Sequence, residues 1–280
     1  MEGRRLIIVT GPTAVGKTAY AVDLAQRLGT EIIGCDSRQF YREMRIGVAR
    51  PSEAELAAVR HHFVACRSVT DPFNIYDYEQ EAISLIERLF EQHEVVVACG
   101  GSGLYIDALC QGVSPMPSPT AELRSHLQQL SLEEKRAQLR LLDPDYYSRV
   151  DLRNPVRLQR ALEVCLTAGR PYSQVVAEWK PAQRPFQIEV RVLRMEPEEL
   201  RRRIDRRVDQ MMEEGLMDEV HSLLPYRHLN TLNTVGYREL FACVDGQCTL
   251  DEAVSAIKLN TWHYARKQIT WMRRYDKSDA

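Results

Sequence analysis

The run Gly11-Pro12-Thr13-Ala14-Val15-Gly16-Lys17-Thr18 fits the pattern G-x-x-x-x-G-K-S/T at every position. Glycines at the two ends let backbone N–H groups turn inward, and a helix starting at Lys17 aims its positive end at the same point. Lys17 supplies a point charge, and the Thr18 hydroxyl is placed to ligate Mg²⁺. The chemistry this serves is the holding of a diphosphate or triphosphate. Asp36 heads a second chemically dense run, Asp36-Ser37-Arg38-Gln39-Phe40-Tyr41. A carboxylate there can hold a metal or accept a proton. The amide and guanidinium groups that follow suit base edges, and the two rings suit stacking on bases. A third run, Gly100-Gly101-Ser102-Gly103-Leu104-Tyr105, is a glycine turn of a kind common in α/β proteins.

A phosphate loop does not name its ligand. Hydrolytic P-loop enzymes place an acidic residue at the end of a second buried strand to hold the metal. Here the best such strand, Val95 to Ala98, runs into Cys99 and the glycine turn, with no carboxylate. The chain offers the anion site without the usual hydrolytic equipment.

The elements that must carry these residues follow from patterning. Leu6-Ile7-Ile8-Val9 is a short unbroken apolar run, as in a strand buried on both faces. A helix is predicted from Lys17 to Leu28, with Ala21, Leu24, Ala25 and Leu28 on one face and Gly29 just past its end. Glu31 to Cys35 and Val95 to Ala98 read as further strands, so strands alternate with helices as in a parallel sheet. The alternate prolines Pro115, Pro117 and Pro119 break this pattern, and Pro181 and Pro185 mark a second connector. Between them the chain reads as helix, with a capping box at Ser131 and Glu134 and an N-cap at Asn154-Pro155 for a helix ending at Gly169. Ile188, Val190 and Val192 then alternate like a strand returning to the sheet, and Thr249 with Glu252 caps a long helix reaching about Arg274. The expectation is an α/β fold, a P-loop NTPase-like parallel-sheet core of residues 1–115 and 186–280 with an α-helical insertion domain of 116–185.

Composition narrows the class. A net charge of −2 leaves any nucleic-acid contact to a local basic surface. Seven scattered cysteines without a C-x-x-C pair argue for reduced thiols, and the apolar run at Leu6 is too short for a signal peptide or a membrane span. A cytoplasmic monomer without membrane contact is expected.

In this order, the three runs resemble the tRNA dimethylallyltransferase (tRNA isopentenyltransferase) family, whose hallmarks are G-P-T-A-x-G-K-T, D-S-x-Q-x-Y and G-G-T-G-L-Y. Ser102 stands where Thr is usual, and Phe40 where Val is usual. The resemblance continues through Asn154-Pro155-x-Arg157-x-x-Arg160-Ala161-Leu162-Glu163, the run Arg203 to Met211, Gly236-Tyr237-Arg238-Glu239 and Tyr264-Ala265-Arg266-Lys267-Gln268-x-Thr270-Trp271. In the last the basic pair is reversed, and Trp262 replaces a common Arg. The resemblance implies a channel entered by dimethylallyl diphosphate at one end and by an adenine flipped from the tRNA anticodon stem-loop at the other. It implies Asp36, Thr18 and Arg207 as catalytic residues, the Gly11–Thr18 loop on the diphosphate and Mg²⁺ as cofactor. It places tRNA contacts at Asp36, Ser37, Arg38, Gln39, Ser102, Arg124 and the helical segment Gln159, Arg160, Ala161, Leu162 and Glu163.

Other charged stretches have plainer readings. Arg201, Arg202, Arg203 and Arg206 alternate with acids as a solvated face does, whereas Lys258, Arg266, Lys267, Arg273 and Arg274 outnumber nearby acids and suit RNA phosphates. The pair His61-His62 lacks a metal-ligand pattern. Three rival readings stay open: a P-loop kinase of small metabolites, a prenyltransferase of free adenine nucleotides, and an ATP-dependent switch. An arginine-rich lid, dispensability of the insertion and a metal-binding acid would mark them in turn.

Overall fold

The computed structural model describes residues 3–275. The chain divides into two compact units, residues 1–111 with 183–280, and residues 112–182. Its elements run β1 (Arg5–Thr10), α1 (Lys17–Leu28), β2 (Ile32–Gly34), α2 (Glu53–Ala58), β3 (His61–His62), α3 (Ile75–Leu89), β4 (Val95–Cys99) and α4 (Gly103–Gln111). The second unit holds α5 (Ala121–Gln129), α6 (Leu132–Leu142), α7 (Pro144–Tyr147), α8 (Pro155–Ala168) and α9 (Tyr172–Glu178). The chain then returns with β5 (Gln187–Val192), α10 (Pro197–Glu213), α11 (Leu216–Ser222), α12 (Tyr237–Val244) and α13 (Leu250–Met272).

The strands form one sheet in the order β3-β2-β4-β1-β5, every pair parallel. The unbroken apolar run in β1 has its physical reason here. Ile7 and Val9 pack with Ile32 and Val97 against Ala21, Leu24 and Ala25 of α1. Leu6 and Ile8 point the other way, into a cluster with Ala82 and Ile86 of α3 and Ile106 and Leu109 of α4. Removing these side chains from water contributes about 25 cal/mol per Å² of apolar surface. At one edge β5 is only half-buried, and its Arg191 donates to Glu189, which also pairs with Arg5 at 3.2 Å. Such charges discourage pairing with another strand.

Local signals hold where side chains meet backbone. Gly29 and Gly169 close α1 and α8 in the left-handed region, and the boxes at Ser131 and Thr249 are formed. Arg184 anchors the chain as it re-enters the first unit. Its guanidinium donates to the carbonyls of Leu109 at 2.9 Å and Ala108 at 2.6 Å and to buried Glu79 at 2.7 Å. It thereby satisfies orphan carbonyls in the last turn of α4.

The second unit closes on its own core of Leu127, Leu139, Leu158, Ala161 and Leu162. Asp143, 1% exposed, accepts from the Tyr146 N–H and from both the N–H and hydroxyl of Ser173, tying α7 to α9. Among the described residues no helix is long and apolar enough to cross a membrane.

Candidate active site

A cleft of about 560 Å³ opens at the carboxyl ends of β1, β2 and β4, where open parallel sheets bind ligands. The phosphate loop leaves β1, Asp36 follows β2, and Cys99-Gly100 ends β4. Opposite these lie faces of two helices, Ile204, Arg207 and Met211 of α10 and Ile257, Thr261, Tyr264 and Gln268 of α13.

The loop turns through left-handed backbone at Ala14 (φ 65°) and Gly16 (φ 100°). Gly11, Pro12 and Val15 are buried and shape the turn, while Thr13, Ala14, Gly16, Lys17 and Thr18 line the cleft. Lys17 Nζ donates to the Pro12 carbonyl at 2.8 Å, folded across its own loop. The Thr13 N–H is turned away from a ligand and donates to Gln268 Oε1 at 2.8 Å. Arg207 Nη1 reaches Thr13 Oγ1 at 3.5 Å, so α10 brings a second cation to the loop.

Burial is the leading influence on Asp36, Lys17 and Arg207. It pushes Asp36 up, an effect opposed by the Arg38 N–H, which donates to Asp36 Oδ1 at 3.2 Å, and by the charges of Lys17, Arg38 and Arg207. It pushes Lys17 down, against the pull of Cys99 and Asp36, and pushes Arg207 down against Asp36. The cleft lining carries Lys17, Arg38, Arg50, Arg203, Arg206 and Arg207 against the carboxylates Asp36 and Glu55, a surplus of positive charge suited to an incoming polyanion. The Cys99 thiol, driven up to about 12 by burial, is no nucleophile at neutral pH.

The glycine turn is fixed by close packing. A Cβ at Gly100 would sit 2.3 Å from the Cys35 carbonyl oxygen, and one at Gly103 would lie 2.4 Å from the Trp271 ring. Ser102 Oγ accepts from the Ser37 N–H at 3.0 Å, so this turn holds the segment that carries Asp36. Burial also pushes the neighbouring Tyr264 phenol up.

Placement corrects several expectations. Phe40 and Tyr41 are not available for stacking on a base. Phe40 is fully buried among Phe63, Phe73, Tyr78 and Tyr105, and Tyr41 is 5% exposed. Gln39 lines the cleft, but its amide nitrogen is committed to the carbonyls of Val48 at 3.2 Å and Ala49 at 3.0 Å. Arg38 reaches the Asn230 carbonyl at 3.4 Å. In the second unit, Ala161 and Leu162 face the core and cannot offer side chains to a ligand. Glu163, 6% exposed, accepts from Gln159 and Arg160 and lies 3.8 Å from Arg124. Gln159 and Arg124 thus share one acid, and the outward groups of that segment are Gln159 and Arg160. Of the basic residues expected to suit RNA, Lys258 is paired with Asp209 at 2.6 Å, and Arg274 with Asp107 at 3.2 Å. Arg201 lies over the Trp262 ring at 5.6 Å.

The sequence reading named Tyr264 and Gln268 only as part of a signature, without a role in the site, and did not single out the lining loop Gly47–Arg50 or Glu55. A signal existed for the helical ones. Positions 257, 261, 264 and 268 recur at helical spacing on one face. The loop gave none, because Glu219 holds it from a distance, accepting from the N–H groups of Arg45, Ile46 and Gly47.

Fold and site together define a P-loop α/β protein whose anion cradle faces a half-buried carboxylate. The IPP transferase family model matches residues 39–275. The chain is 49% identical to the tRNA dimethylallyltransferase 1 of Bacteroides thetaiotaomicron over 96% of this chain and 88% of the relative. It is 45% identical to that of Bacteroides fragilis, over 98% and 92%. Among solved structures it is similar to the tRNA isopentenylpyrophosphate transferase of Bacillus halodurans, with a TM-score of 0.69, 32% identity and 97% and 87% coverage. A eukaryotic dimethylallyltransferase acting on tRNA shares the fold at a TM-score of 0.82, 24% identity, and 96% and 70% coverage. The chain belongs to the IPP transferase family.

Proposed function

We propose that this protein transfers a dimethylallyl group from dimethylallyl diphosphate to the exocyclic N6 amine of the adenine 3′-adjacent to the anticodon in tRNA, releasing diphosphate. The observation that carries the reading is the cleft itself, with Asp36 facing a phosphate loop backed by Lys17 and Arg207. An N6–C1 bond forms, the C1–O bond to diphosphate breaks, and the N6 proton passes to Asp36. A carboxylate whose burial raises its pKa is a stronger base than one in water, which suits proton removal from a weakly nucleophilic amine.

As the C–O bond breaks, charge gathers on the diphosphate. Arg207, Lys17 and the loop amides of Ala14, Gly16, Lys17 and Thr18 are placed to receive it, while the Val15 N–H donates to the Pro12 carbonyl at 3.4 Å. Lys17 would leave the Pro12 carbonyl for a phosphate oxygen. The Thr18 hydroxyl, lining a cleft built for phosphate oxygens, would hold Mg²⁺ together with those oxygens. Among the described residues no group of three or more His, Cys, Asp or Glu forms a protein cage for a metal, which suits an ion held by phosphate oxygens and water beside Thr18. When bound, Mg²⁺ supplies charge neutralisation at the leaving diphosphate.

The absence of an acid at the end of β4 speaks against the switch reading, and the neutral Cys99 thiol there supplies no substitute. The test is mass analysis of nucleosides after incubating the protein, Mg²⁺ and dimethylallyl diphosphate with unmodified tRNA, and separately with adenine nucleotides. A prenyl-sized gain on tRNA adenosine is expected. Gain only on free nucleotides, or phosphoryl transfer from ATP in place of either, would overturn the reading.

A further inference from the structure

The amide of Gln268 spans the cleft floor between the phosphate loop and the glycine turn. It is 5% exposed on the face of α13 that also carries Ile257, Thr261 and Tyr264. Oε1 accepts the Thr13 N–H at 2.8 Å, and Nε2 donates to the Gly101 carbonyl at 2.8 Å. A Cβ on Gly101 would lie 2.4 Å from that nitrogen and 3.5 Å from Lys17 Nζ, so turn, amide and lysine are packed to contact. The next residue, Ser102, holds the Ser37 N–H at 3.0 Å, and Ser37 follows Asp36 directly. One continuous series therefore runs from the diphosphate loop through Gln268, Gly101, Ser102 and Ser37 to Asp36.

We infer that Gln268 is a positioning residue that sets the distance between the leaving-group cradle and the base, and so decides whether the breaking allylic bond meets the adenine amine or water. The inference rests on the prenyl-transfer reading. Only an amide does both jobs at this point, because the loop offers a donor and the turn offers an acceptor. A side chain lacking either group leaves a buried backbone partner unsatisfied, and loop and turn then shift relative to each other. With the amine misplaced while the loop still holds diphosphate, water competes at C1. Its oxygen forms the new C1–O bond, diphosphate leaves, and the water's proton goes to Asp36 or solvent. The products are prenyl alcohol and diphosphate. A misplacement of about 1 Å costs up to about 100-fold in a step that depends on alignment.

The experiment measures prenyl alcohol and prenylated adenosine in the same reaction, with Mg²⁺, dimethylallyl diphosphate and tRNA, for wild type, Gln268→Met and Gln268→Glu. Folding is checked by circular dichroism and thermal midpoint. The expected result is a ratio of alcohol to prenylated adenosine raised at least about tenfold in the methionine variant. Gln268→Glu, which keeps the acceptor for Thr13, should fall between it and wild type. Gly101→Ala, which displaces the amide without removing it, should raise the ratio in the same direction, and it serves if the Gln268 variants do not fold. A purely structural role lowers both products together in proportion to the folded fraction, so an unchanged ratio overturns the inference while leaving the reaction in place. Wild type that makes no prenylated adenosine overturns the reaction itself, and the inference with it.

Discussion

Asp36 is the residue whose surroundings bear most directly on reactivity. Burial raises its pKa, and Lys17, Arg38 and Arg207 temper the rise without cancelling it. A base must be deprotonated to act, so activity is lost as pH falls through the raised value. The acid limb of kcat/KM is therefore predicted above about 3.9, the ordinary aspartate value. A limb at or below that value would mean that another group takes the proton. At this scale the reading from sequence was strongest where a motif fixes backbone as well as side chain. Lys17 and Thr18 sit in the cleft because the loop pattern dictates their turn. Asp36 arrives there by following a parallel strand. The same run misled at Phe40 and Tyr41, because adjacency along the chain does not say which rings face a ligand and which complete the core.

At the scale of elements, one position carries a long-range connection worth testing. Arg184 holds the returning chain to the end of α4 and to Glu79, in a pair with side chains only 10% and 7% exposed. Arg184→Met keeps the length of the side chain but withdraws its charge from Glu79. We predict a loss of about 3 kcal/mol in urea unfolding, since breaking one side of a buried pair is costly. A change within about 0.5 kcal/mol, as at ordinary surface sites, would contradict this. Helices α1, α8 and α13 were legible because caps and apolar spacing agree. The two-residue β3 was not. His61 and His62 carry no strand signature of their own and join the sheet only by pairing with Ile32 and Ile33. Nor was the clustering on the 257–268 face of α13 foreseen, since half of it is polar and mimics a solvated surface until α10 and the glycine turn are placed against it.

For the whole molecule, a net charge of −2 means that any grip on tRNA comes from local groups rather than from the overall field. In the second unit, Arg124 and Arg160 are 54% and 42% exposed, each beside the buried Glu163. If Arg160 meets a phosphate, Arg160→Ala raises KM for tRNA, leaves KM for dimethylallyl diphosphate unchanged, and reduces the slope of log affinity against log salt by about 0.7–0.9. An unchanged slope would assign Arg160 to Glu163 alone. The parallel sheet and the helical character of 116–185 were readable from periodicity and proline placement. The loop 47–50 that walls the cleft was not, because Glu219, far along the chain, determines its course. The central claim is that Asp36 takes the proton while the phosphate loop binds the donor independently. Single-turnover prenyl transfer to tRNA, measured beside direct binding of dimethylallyl diphosphate for wild type and Asp36→Asn, tests this most directly. The account predicts donor affinity within a few-fold of wild type and a transfer rate lower by about 10²–10⁴. Transfer at the wild-type rate in the asparagine variant would contradict it.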